Sequence, residues 1–211
     1  MRLKQTNNGD LDRGVADGAM SEQSRNTPVW VTREPGPAYL FFGAFSGRPE
    51  LLSQCQSVIV ERFGPLHPDG VSPIYPFPQT RTYEKTMGKG LQRQFFVLDE
   101  PQPQDCLADI KHTTIAIENE LRDTGTFAIE RPINIDPGIV NDCRIILAST
   151  KDYSHRWYRG KGIWEELTLI YQHGAFEPLR WTYPDFRKPT YHEFFAKLRR
   201  DLIDRNLQSK P

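Results

Sequence analysis

The segment STKDYSHRWYRGKG, residues 149–162, holds the densest set of reactive side chains in the chain. Lys151, Arg156, Arg159 and Lys161 set positive charge against Asp152 alone, and Gly160 and Gly162 would let the backbone approach a ligand closely. That mixture suits an anion, gripped by lysine as a point charge and by arginine through forked hydrogen bonds. Lys151, Arg156 and Lys161 are therefore expected to fix it. His155, embedded in the same cluster, is of the residue type that most often moves protons in catalysis and is the expected general acid or base. The alternative is a solvated loop, pinned to a sheet by Tyr153 and Trp157.

Carboxylates elsewhere could complete such a site. In INIDPG, Asn134 and Asp136 flank Ile135, so on extended chain they share a face, and the following Pro-Gly is expected to turn the chain at the strand's end. An amide and a carboxylate so placed suit a divalent cation, or else an Asx-type turn. In IWEELTLIY, alternation sets Ile163, Glu165, Leu167, Leu169 and Tyr171 on one face. Glu165, on that more apolar face, is the better acid, base or metal ligand, and would meet Asp136 and His155 if their strands adjoin. Further candidates are Glu84 before a glycine turn, Lys111 near the start of a helix, and Asp185 with Arg187. The last two would form a structural pair at the entry to the final helix.

These groups need elements to hold them. AYLFFGAFS (38–46) is near-continuously apolar, as in a strand covered on both faces. Helical spacing is expected over 49–62, 105–122 and 190–206, the last with Tyr191, Phe194, Phe195, Leu198 and Leu202 along one side. Prolines make 65–78 irregular or edge-like, and 81–100 reads as strand, turn at Gly88 and Gly90, strand. Strands are expected over 144–149, 163–172 and 175–181, the last two joined at His173-Gly174, with a shorter one ending at Ile135. The class is α+β: a mixed or largely antiparallel sheet covered by about three helices.

Composition bounds the rest. The 211 residues suffice for one core, expected over 34–207, with the polar stretch 1–33 as a tail. Zero net charge removes the electrostatic case for a nucleic-acid binder, although the final helix is basic. Cys55, Cys106 and Cys143 are odd in number and show no ligand spacing, which suits reduced thiols. With neither a signal-peptide core nor a long apolar run, the expected location is the cytoplasm, away from membranes. The GxxxxGKS/T loop, dinucleotide fingerprint, serine elbow and HExxH are all absent.

Six stretches carry a resemblance to a family. They are FGPLHPDGVSPIYPF (63–77), TRTYEKTMGKGL (80–91), LADIKHTTIAIE (107–118), NIDPGIV (134–140), LASTKDYSHRWYRGKGIWEELTLIY (147–171) and WTYPDFR (181–187). In this order they resemble the bacterial uncharacterised family DUF4416, from about Ala38 to Arg199. The resemblance implies no established activity. Members have carried a GTP-binding label, but the missing phosphate loop argues against a conventional P-loop GTPase. Trp157-Tyr158-Arg159 departs from a more aliphatic family pattern, and the N-terminal tail is longer. The residues themselves point to an enzyme or binding protein for a phosphorylated or otherwise anionic small molecule. The alternative is a non-catalytic interaction or scaffold domain, with Tyr153, Trp157 and Trp164 packing a protein partner.

Overall fold

Every residue of the first strand, β1 (Tyr39–Ser46), is buried, which is what its unbroken apolar run requires. In the computed structural model, which describes residues 32–77, 81–125 and 127–208, β1 lies near the middle of one antiparallel sheet. Most of the expected N-terminal tail, residues 1–31, lies outside the described residues. The other strands are β2 (Leu66–Val71), β3 (Tyr75–Pro76), β4 (Gln92–Leu98), β5 (Ile133–Val140), β6 (Arg144–Ser149), β7 (Arg156–Gly160), β8 (Ile163–Gln172) and β9 (Ala175–Pro178). Their order is β2-β4-β1-β5-β6-β8-β7, with β3 beside β4 and β9 beside β8. The helices are α1 (Pro49–Phe63), α2 (Arg81–Met87), α3 (Leu107–Asp123) and α4 (Pro189–Gln208). The fold is α+β, and every element belongs to the unit Pro35–Pro211. Among the described residues no helix is long and apolar enough to cross a membrane.

Alternation along β1 divides the core. Leu40, Phe42 and Ala44 pack with α1 and α3 through Leu51, Leu52, Cys55, Leu107, Ile117 and Leu121. Tyr39 and Phe41 face the opposite way, onto Tyr191, Phe195, Leu198 and Leu202 of α4. The recurrence of those α4 residues at steps of three and four is why the helix forms there. Each large apolar side chain so buried contributes about 1.5–3 kcal/mol.

Three expectations need correction. Residues 81–87 form α2 rather than a strand, because Tyr83 and Met87, four apart, pack together over Phe45, Phe77 and Leu91. The proline-rich stretch is not wholly irregular, since β2 and β3 line the sheet edge. And Pro137-Gly138 does not end its strand. Pro137 needs no turn, and Gly138 continues β5 between Phe41 and Leu147. A Cβ on Gly138 would stand 2.5 Å from Phe41 Cζ and 2.6 Å from the Ile146 carbonyl oxygen. Gly138→Ala should therefore destabilise the protein by about 1–3 kcal/mol through overpacking, read as a lower urea midpoint. An unchanged midpoint would mean that Phe41 swings aside at no cost.

Candidate functional site

β5 pairs with β1 along all eight residues, but with β6 only through Gly138–Val140. Before Gly138 the two neighbours part, and there a cleft of about 260 Å³ opens. Asn134 and Asp136, in register with Phe45 and Gly43, stand on its β5 side. Leu147–Lys151, at and just beyond the end of β6, stand on the other. Phe77 and Tyr83 lie across one end, and Tyr183 to Phe186 across another.

Lys111 reaches this gap from α3, which covers the opposite face of the sheet. Its ammonium, 4% exposed, donates to the Ile135 carbonyl (2.9 Å) and to Asp136 Oδ1 (3.1 Å). Asn134 Nδ2 donates to the other carboxylate oxygen at 2.7 Å. Burial pushes the Asp136 carboxyl upward, but the Lys111 and Arg93 charges and these two hydrogen bonds outweigh it. The group is left below the usual carboxylate value. Behind it, Glu118 accepts from the Ile135 N–H (2.7 Å) and from Arg131 (3.3 Å), and Arg131 also donates to Asn134 Oδ1. Burial dominates at Glu118, so its carboxyl stays raised despite Lys111 and Arg131.

The floor is a buried arginine. Arg93 of β4 has its guanidinium carbon 4.8 Å from the Phe45 ring centroid and 4.9 Å from that of Phe77, with Phe95 and Phe186 beyond. It lies 3.2 Å from the carboxylate of Asp185 and 4.0 Å from that of Asp136. Gly43, opposite Asp136 in the ladder, leaves the space: a Cβ there would stand 3.5 Å from the guanidinium and 3.1 Å from Phe95.

On the remaining wall Arg156 acts as an organiser. Its Nε (2.9 Å) and Nη2 (2.8 Å) grip one oxygen of Glu166, which is 1% exposed. Nη2 also donates to the Tyr183 hydroxyl (2.6 Å), while Nη1 donates to Ser149 Oγ (2.7 Å) and the Lys151 carbonyl (2.9 Å). Four of its five N–H groups make hydrogen bonds, and the Nη2 contact with Glu166 is an ion pair. Arg156 therefore lines the cleft with most of its hydrogens already held by protein acceptors.

The other expected site residues divide. Lys151, Asp136, Asn134, Lys111 and Asp185 meet at the cleft. Lys161 does not: it sits in the tight β7–β8 turn at φ 54° and pairs with Asp109 (2.5 Å). Gly160 and Gly162 serve the same turn, with φ 104° and 73°, and do not line the cleft. Glu165 is paired in the ladder with Ala148, which packs on the α1 and α3 side, so it opens away from the cleft. It accepts from Trp157 Nε1 (3.1 Å), and Arg159 lies 3.2 Å from its other oxygen. His155 stands outside the lining, 3.1 Å from Glu166 Oε2 and stacked between Tyr153 and Trp181. Asp136, His155 and Glu165 are thus not gathered, and among the described residues no three His, Cys, Asp or Glu form a metal-ligating group. Among the described residues Arg187 pairs with no carboxylate; it donates to the carbonyls of Thr182, Leu179 and Arg180, while Asp185 goes to Arg93. Glu84, on α2, does not line the cleft.

Arg93, Arg131, Glu118 and Glu166 are the participants that sequence reading passed over. An arginine amid QRQFFVL, which must face a core, was the available signal for the first.

Fold and site together define an antiparallel α+β protein with a charged cleft where two strands of its sheet diverge. The chain belongs to the DUF4416 family, a domain of unknown function, which it matches over residues 36–202. No curated protein and no solved structure matches it. The segments that carry the family resemblance supply the cleft lining apart from Arg93 and Arg131.

Proposed function

We propose that the cleft binds a small anionic molecule, phosphorylated or carboxylated. One observation carries this reading. Arg93, Lys111, Arg131 and Arg156 each stand beside a carboxylate, whereas the Lys151 ammonium makes no ion pair among the described residues. A surplus cation on a cleft walled by Tyr83, Tyr183 and Phe186 attracts an anion with an apolar or ring-bearing body. The cleft's size suits a metabolite rather than a polymer. Thermal-shift screening against sugar phosphates, nucleotides, dicarboxylates and divalent ions tests it. A true ligand at a hundredfold its Kd should add about 2.7 kcal/mol of stability, and Lys151→Ala should lose most of that gain. If no anion stabilises the parent, or if Lys151→Ala responds as the parent does, the reading fails.

A second reading has its own observation. On the edge strand β7, Trp157 is 43% and Tyr158 61% exposed, with Trp164 packed against Tyr158. Exposed aromatic residues on an unprotected sheet edge suit a protein partner. Co-purification from a native extract that is lost in Tyr158→Glu supports an interaction domain; partners retained by that variant count against this edge.

A further inference from the structure

The anion reading leaves the head group open, and hydrogen-bond accounting along the cleft narrows it. Ser149 Oγ already accepts from Arg156 Nη1 and from the Lys151 N–H (3.2 Å). The Tyr183 hydroxyl already accepts from Arg156 Nη2. Ser149 Oγ has both lone pairs engaged and can offer only a proton, and the Tyr183 hydroxyl, with one bond accepted, has its proton still to donate. One planar guanidinium holds both oxygens, so they lie side by side along the wall. Next in the chain, the Thr150 hydroxyl and the Lys151 ammonium have no protein acceptor among the described residues. Across the cleft the Tyr83 hydroxyl has none either. At the floor the Arg93 Nε–H is buried and also without an acceptor. Burial holds the Tyr83 and Tyr183 hydroxyls above the ordinary phenol value, so both keep their protons.

The carboxylates on the cleft are already paired, Asp185 with Arg93 at 3.2 Å although its Oδ2 accepts no hydrogen bond. Asp136 takes Lys111 on one oxygen and Asn134 on the other, and Glu166 takes His155 and Arg156. The cleft thus presents protons and a positive charge, and needs a partner rich in lone pairs.

Building on the anion reading, we infer that the cleft is a phosphoryl subsite: Ser149, Thr150, Lys151 and Tyr183 hold the terminal oxygens of a phosphate monoester. A carboxylate's lone pairs lie in one plane, too flat for donors arriving from three consecutive residues and a neighbouring tyrosine. A phosphoryl group offers three oxygens in a tetrahedral array and up to two charges, and accepts such bonds at charge-assisted strength. The aromatic residues beside it would then face the esterified body.

The test is calorimetric titration of the full-length chain with inorganic phosphate and, separately, with malonate, using the parent, Thr150→Val and Lys151→Ala. Thr150→Val keeps the shape and removes only a hydroxyl that bonds nothing in the protein, so its thermal midpoint should match the parent's. Phosphate should bind the parent at least about tenfold more tightly than malonate. Thr150→Val should weaken phosphate by about tenfold and malonate by much less, as expected for one charge-assisted hydrogen bond. Lys151→Ala should weaken both. If malonate binds as tightly as phosphate, or Thr150→Val leaves phosphate binding unchanged, the phosphoryl assignment is wrong and the wider anion reading survives. If neither ion binds the parent, both fall together.

Discussion

Arg93→Ala should cost the protein about 3–5 kcal/mol, the usual penalty for stripping the partner from a buried charge. Asp185 is 4% exposed, and its Oδ2 has no hydrogen bond beyond the ion pair with Arg93. Without the guanidinium that carboxylate would be charged and alone in an apolar floor. The rings of Phe45, Phe77, Phe95 and Phe186 would also lose the cation they enclose. Coulombic loss is the larger effect, because cation–π contacts contribute only about 0.5–2 kcal/mol. A second variant separates charge from volume. Arg93→Met with Asp185→Leu removes both charges while filling the space, and should recover most of the loss in urea unfolding. If Arg93→Ala unfolds within about 1 kcal/mol of the parent, Asp185 finds its counter-charge elsewhere.

Lys111→Met should cost about 3 kcal/mol at neutral pH, and the loss should shrink in mild acid. In the parent the Asp136 carboxyl lies below its ordinary value. Its ionised form therefore stabilises the fold above the unfolded-state pKa, and that contribution fades as pH falls through the lowered folded value. Glu118 has the opposite sign. Its raised value means that ionisation opposes folding, a cost present at neutral pH and relieved as protons return. Removing Lys111 takes the largest favourable charge from both, so each carboxyl titrates higher in the variant. The gap between variant and parent is then widest where both are ionised and narrows through the carboxylate range. Urea midpoints at neutral pH and in mild acid measure it. A gap that stays constant would show that Lys111 matters through its bond to the Ile135 carbonyl alone.

Much of the frame was legible because it follows from period and composition. Stripe residues located α1, α3 and α4 to within a few positions, and the unbroken run at 39–46 identified a strand covered on both sides. His173-Gly174 marked the β8–β9 turn, where both residues take positive φ. The errors also have physical causes. Glu165 was preferred over Glu166 because Leu169 was counted on its face. In the sheet Leu167 pairs with Ile146 and Leu169 with Ile145, so a bulge at Thr168 moves Leu169 to the other side. Glu166, buried at 1% beside Arg156, holds the position by the cleft. Local spacing cannot reveal such a slip, since it arises in the pairing with β6. Arg156 lies on the cleft, but sequence shows a charge and not how many of its hydrogens protein acceptors already hold. Lys111 and Arg93 depend on where strands part and where Gly43 leaves room, which are properties of the assembled sheet.

β5 and β6 share only three residue pairs, so the sheet is two panels joined along a short seam. Anything seated between Lys151 and Asn134 touches both panels and would act as a cross-brace where the seam has run out. Deuterium uptake would then slow at the amides of Ile133 to Asp136 as well as beside the ligand. Through the Lys111 bolt, the stiffening would extend to α3 on the far side of the sheet.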